Sequence, residues 1–102
     1  MTDDENRLCR VLEDCLEDYR LMLVFQANWN EDDYLYEVSA RPDIPIPTRR
    51  NAMKALCNMF DLNHISHINL PEQEHDYANH KCYLTKSTVK KLIGLHALGG
   101  IK

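Results

Sequence analysis

Residues 21–40 read LMLVFQANWNEDDYLYEVSA, and the period of this stretch decides the fold class. Leu21, Leu23, Phe25, Ala27 and Trp29 alternate with Met22, Val24, Gln26 and Asn28, and beyond them Tyr34, Tyr36, Val38 and Ala40 alternate with Leu35, Glu37, Ser39 and Arg41. Successive side chains of a strand point to opposite faces, so a repeat of two marks two strands. Asn30, Glu31, Asp32 and Asp33 join them into a hairpin with three consecutive carboxylates at its tip. Water screens their mutual repulsion in an exposed turn. The tip lacks the alternating acids, glycine and closing glutamate of a calcium loop, so it reads as a solvated turn.

Upstream the repeat is helical. Leu8, Val11, Leu12, Cys15, Leu16 and Tyr19 share one face of a helical wheel, and Glu13, Asp14, Glu17 and Asp18 the other. Thr2 or Asp3 can cap this helix, early acids suit the positive end of its dipole, and Arg10 stands four residues before Asp14 on the acidic face. Downstream, Pro42, Pro45 and Pro47 predict an extended crossing, because proline fixes φ and biases the residue before it away from the helical region. Thr48 then caps a helix over residues 49–60, with Ala52, Met53, Leu56, Cys57, Met59 and Phe60 as its apolar stripe. Arg41, Arg49, Arg50 and Lys54 make a basic shoulder beside it. The remainder reads as a short strand over Ile65 to Leu70, a polar loop to Asn79, a strand over His80 to Thr85, and a last helix capped by Ser87. Val89, Leu92, Ile93 and His96 share a face of that helix before Gly99 and Gly100 end it.

The resulting order is α-β-β-α-β-β-α. It predicts an α+β fold in which about four antiparallel strands carry three helices on one face. A chain of 102 residues with 44% hydrophobic composition suits one domain spanning residues 1–102, and it has no Ser-rich or repetitive linker. The longest apolar run, Leu21 to Phe25, is too short to span a bilayer, and Asp3, Asp4 and Glu5 replace the basic start of a signal peptide. The expectation is a cytoplasmic protein, monomeric or homodimeric, without membrane contact. Cys9, Cys15, Cys57 and Cys82 sit singly in apolar patterns, which predicts small buried thiols.

Charge is unevenly placed. Residues 1–37 hold eleven Asp/Glu against three Arg, whereas residues 38–102 hold five against nine Lys/Arg. A field of one sign attracts partners of the other. Glu13, Asp14, Glu17, Asp18, Glu31, Asp32 and Asp33 are therefore the candidate partner-binding residues, presented to a protein with a basic groove that would otherwise hold nucleic acid. Residues 77–102 carry five lysines and no carboxylate, which suits phosphate or an acidic partner.

Chemistry is sparsely represented. There is no phosphate-binding glycine loop, nucleophile elbow or His-Glu-x-x-His, so no enzyme and no catalytic residue are expected. Asp76 with His75 and His80 is the kind of trio that any polar loop offers. His64 and His67, then His75, His80 and Cys82, are donors of the type zinc takes. In an extended strand, however, residues three apart face opposite ways, so His64 and His67 converge only if the segment is turned. The reading is surface histidines, with no metal and no cofactor.

Residues 87–101, STVKKLIGLHALGGI, resemble the recognition helix of winged helix domains, with a Ser-Thr-Val start and an ending of Leu, then Gly, then an aliphatic residue. The resemblance implies that Lys86, Ser87, Thr88, Lys90 and Lys91 lie near DNA, as in a small transcriptional regulator. It covers only these fifteen residues, and a positioning helix should precede them where His80 to Thr85 reads as a strand. Small size, acidity and absent chemistry are also similar in profile to phage-encoded inhibitors of host defence or transcription, anti-CRISPR proteins among them. The leading expectation is thus a non-enzymatic inhibitor or regulator that binds protein, with the DNA-binding regulator as the alternative.

Overall fold

The structure, a computed structural model, describes residues 3–17, 19–30, 33–69 and 77–101. Its elements run α1 (Asp3–Cys15), β1 (Met22–Asn30), β2 (Asp33–Ala40), α2 (Ile46–Leu62), β3 (Ile68–Asn69), β4 (Lys81–Thr85) and α3 (Lys86–Ala97), with 3-10 turns at Tyr19–Leu21 and Tyr77–Asn79. The fold is α+β, as its periodicities predict. The four strands lie in the order β1-β2-β4-β3, all antiparallel.

Register shows which face of the sheet is dry. Val24 pairs with Val38, and Val38 with Cys82; Gln26 pairs with Tyr36, and Tyr36 with Leu84. Val38, Cys82 and Leu84 are fully buried and join one core with Leu8 and Leu12 of α1, Met53, Leu56 and Phe60 of α2, and Val89 and Leu92 of α3. The opposite face carries Leu23 and Phe25, each about two-fifths exposed. Beside them Glu37 is buried, accepting a 2.8 Å hydrogen bond from the Tyr83 hydroxyl with Lys81 at 3.6 Å. No helix of the described residues is long and apolar enough to cross a membrane.

Several element boundaries differ from the sequence expectation: α1 ends at Cys15, short of Leu16, Glu17 and Tyr19, Asn30 and Asp33 belong to the strands, and three further shifts have a local reason. α2 starts at Ile46, with Pro45 as its N-cap and Pro47 inside the first turn. Proline is tolerated there because N–H groups of a first turn have no intrahelical acceptor to lose. α3 starts at Lys86, and its cap is Thr85 rather than Ser87, with the Thr85 hydroxyl accepting from the Thr88 N–H at 3.2 Å. Of the expected strand over Ile65 to Leu70, the described residues form β3 only at Ile68–Asn69, Leu70 lying outside them, because the close of α2 takes up its beginning. Asn63 N–H and then His64 and Ile65 close the helix: His64 N–H donates to Asp61 O at 3.2 Å and Ile65 N–H to Phe60 O at 2.8 Å. This is a Schellman motif, and His64 takes its left-handed position at φ 55°. α3 ends in the same way, with Gly99 at φ 70° and Gly100 N–H donating to Leu95 O at 2.9 Å.

Candidate functional site

Two groups of residues combine chemistry with a definite position. The first is the outer face of α1 and the turn after it: Leu8, Val11 and Leu12 of the helix are buried, while Glu13 and Asp14 of the helix and Glu17 of the turn are exposed. Asp14 meets His96 of α3, Oδ2 to Nε2, at 2.7 Å; the expected Arg10–Asp14 pairing does not form. Glu17 also borders a groove of about 480 Å³ between the end of α1 and α2, with Leu16, Met22, Met59 and Leu62 in its walls. Carboxylate and apolar surface are therefore adjacent. Asp33 pairs with Asn30 at the hairpin end, while Asp18, Glu31 and Asp32 lie outside the described residues.

The second group is dry. Cys57 of α2, Cys82 of β4 and His80 just before that strand are all buried, and their donor atoms lie within 4.8 Å of one another. Each position follows from local structure. Cys57 belongs to the inward stripe of α2. His80 and Cys82 are two residues apart, so an extended backbone turns both to the same side. A 3-10 turn over Tyr77–Asn79 sets His80, whose ring stacks on Tyr77 at 5.1 Å. The two sulfurs stand 3.6 Å apart as free thiols. His67 stands beside the group in the turn after α2, where it and Cys57 influence each other electrostatically, and its ring lies 5.4 Å from that of Phe60. Its Nδ1 is 3.4 Å from the Ile65 carbonyl oxygen.

The electrostatics follow the contacts. Hydrogen bonding from Cys82, reinforced by His67, holds the Cys57 thiol below the ordinary thiol range against the effect of burial. The bond to Cys57 and burial both push Cys82 up. His67 is raised, chiefly by its interaction with Cys57.

The surface-histidine expectation is corrected for His80, which is buried, and for His67, which is half-buried. His64 and His67 do not converge: His64 is exposed at the helix end while His67 turns toward Cys57. His75 and Asp76 lie outside the described residues. The buried-thiol expectation describes Cys57 and Cys82, whereas Cys9 and Cys15 are half-exposed.

The remaining cations are dispersed. Lys86, Ser87, Lys90 and Lys91 are exposed on α3 and Thr88 is partly so, but β4 runs directly into α3 where a winged helix domain needs a positioning helix. The Ser87 and Thr88 hydroxyls also bond the Thr85 hydroxyl, at 3.1 and 2.8 Å. Lys91 reaches the His64 carbonyl oxygen at 3.4 Å. The basic shoulder is divided: Arg41 pairs with Asp43, Arg49 donates to Asn79, and Lys54 sits over the Tyr77 ring. No family model, curated protein or solved structure matches the chain.

Proposed function

We propose that this chain is a non-enzymatic regulator or inhibitor that binds a cationic protein surface, of the kind that otherwise holds nucleic acid, through the outer face of α1 and the turn that follows it. The observation that carries the reading is the exposure of Glu13 and Glu17, the latter bordering an apolar groove, with no ion pair to either from a lysine or arginine of the later half among the described residues. Exposed charge speeds and orients encounter, while the adjoining apolar area contributes affinity that charge alone supplies poorly. The occupant is accordingly a segment that sets Lys or Arg beside aliphatic or aromatic side chains.

The test is affinity capture with the intact chain, with and without nuclease, followed by affinity measurement on whatever protein is retained. Reversing charge at Glu13, Asp14 and Glu17 together should weaken that complex by at least about tenfold at moderate salt. Unchanged affinity in the triple variant would sink the proposal. Capture only of nucleic acid, or a duplex shift lost when Lys86, Lys90 and Lys91 become Ala, would replace it with the DNA-binding reading.

A further inference from the structure

We propose that Cys57, His80 and Cys82, joined by His67, are a binding site for a tetrahedral zinc ion that fastens α2 and the turn after it to the middle of the sheet. Geometry is the first argument. Four-coordinate zinc holds thiolates at about 2.3 Å, which puts two sulfurs of a tetrahedron about 3.8 Å apart, and a sulfur and an imidazole nitrogen about 3.6 Å apart. The Cys57 and Cys82 sulfurs are 3.6 Å apart, and the His80 donor lies within 4.8 Å of both. These three therefore need only small side-chain adjustments to surround an ion, whereas His67, outside that 4.8 Å set, has to swing inward to supply the fourth donor.

The donor set is the second argument. Two thiolates and two neutral imidazoles are ligands zinc prefers over harder cations, and their two negative charges balance the ion's two positive ones. A neutral assembly suits a site where Cys57, His80 and Cys82 are each less than a tenth exposed, since an uncompensated charge there would be costly. Orientation is the third. Donation from His67 Nδ1 to the Ile65 carbonyl oxygen leaves Nε2 with its lone pair, which is how metal-bound histidines are commonly held in one tautomer. Four protein ligands leave no open position for substrate, so the ion is structural and not catalytic.

The test uses the whole chain. Protein stripped with chelator and then titrated with cobalt(II) should develop the visible d–d absorption of a tetrahedral site together with thiolate charge transfer, saturating at about one equivalent and bleached by zinc. Cys57→Ser, Cys82→Ser and His80→Ala should each lower metal affinity by at least about tenfold, as should His67→Ala, whereas Cys9→Ser and Cys15→Ser should leave it unchanged. Circular dichroism on every variant separates lost ligation from lost fold. Because a ligand variant that fails to fold is silent, the wild-type cobalt spectrum is decisive by itself. A folded wild-type protein that takes up neither cobalt nor zinc overturns the site, as does a Cys57–Cys82 disulfide in freshly purified protein. Cobalt absorption that survives in the Cys57→Ser, Cys82→Ser double variant also overturns it, and unchanged affinity in His67→Ala overturns its four-ligand form.

Discussion

The outer face of α1 and the thiol-imidazole group under α2 are both assembled from ionisable side chains, yet they are built on opposite terms. Glu13, Asp14 and Glu17 stand in water, and of the three Asp14 is held by a side chain of another element, His96. Cys57, His80 and Cys82 are out of water, so each depends on the others for hydrogen bonds and charge balance. The contrast implies opposite mutational behaviour. Changes on α1 should alter what the protein binds and leave its stability nearly untouched, whereas changes around Cys57 should alter whether it folds.

The largest effect should come from Phe60→Ala. Phe60 is fully buried, packs with the core and flanks His67, so truncation should cost about 3–5 kcal/mol in denaturant unfolding. A loss below about 1 kcal/mol would show that the dry region is looser than its burial implies. Next, removing zinc from loaded protein should lower stability by about 4 kcal/mol relative to protein held at a free zinc concentration about a thousandfold above Kd. The sign with pH is fixed, because protons compete with the metal for thiolate and imidazole: zinc should be retained near neutrality and released on acidification. A melting temperature indifferent to chelator would break the comparison on this side.

Smaller effects sharpen it. His64 occupies at φ 55° the position that Gly99 occupies in α3, and a β-carbon is disfavoured there. His64→Gly should raise stability by about 1 kcal/mol, because relief of the left-handed strain exceeds the gain in unfolded-chain freedom. Asp14→Asn removes the bond to His96, but with the aspartate side chain 63% exposed the loss should stay below about 1 kcal/mol in thermal unfolding. Smallest of all, Glu17→Lys should move stability by no more than about 0.5 kcal/mol while still weakening partner capture. A large stability change at Glu17 would mean that the acidic face belongs to the folded framework.

Legibility followed the range of the interactions. The stripe of α2 was readable because Ala52, Met53, Leu56, Cys57, Met59 and Phe60 are brought together by helical spacing alone, and all six are buried. The hairpin was readable for the same reason. The short third strand was not, since nothing in Asn63 and His64 announces a Schellman motif without the usual glycine. The start of α2 was not legible, because proline suits an extended segment and a helix's first turn alike, and only the cap geometry of Pro45 and Pro47 separates the two. For the thiol-imidazole group, the one local signal was the two-residue spacing of His80 and Cys82 in a strand. That Cys57 meets them depends on how α2 lies across β4, which no spacing encodes.

The strand order has a consequence for synthesis. Of the four described strands β4 is made last, yet it lies between β2 and β3. While the chain emerges, the β1–β2 hairpin can close by local contacts, but β2 keeps one open edge and β3 has no neighbour until residues 81–85 arrive. A nascent chain paused before that point should therefore be sensitive to protease across β3, and protection there should appear only when the middle of the sheet is filled.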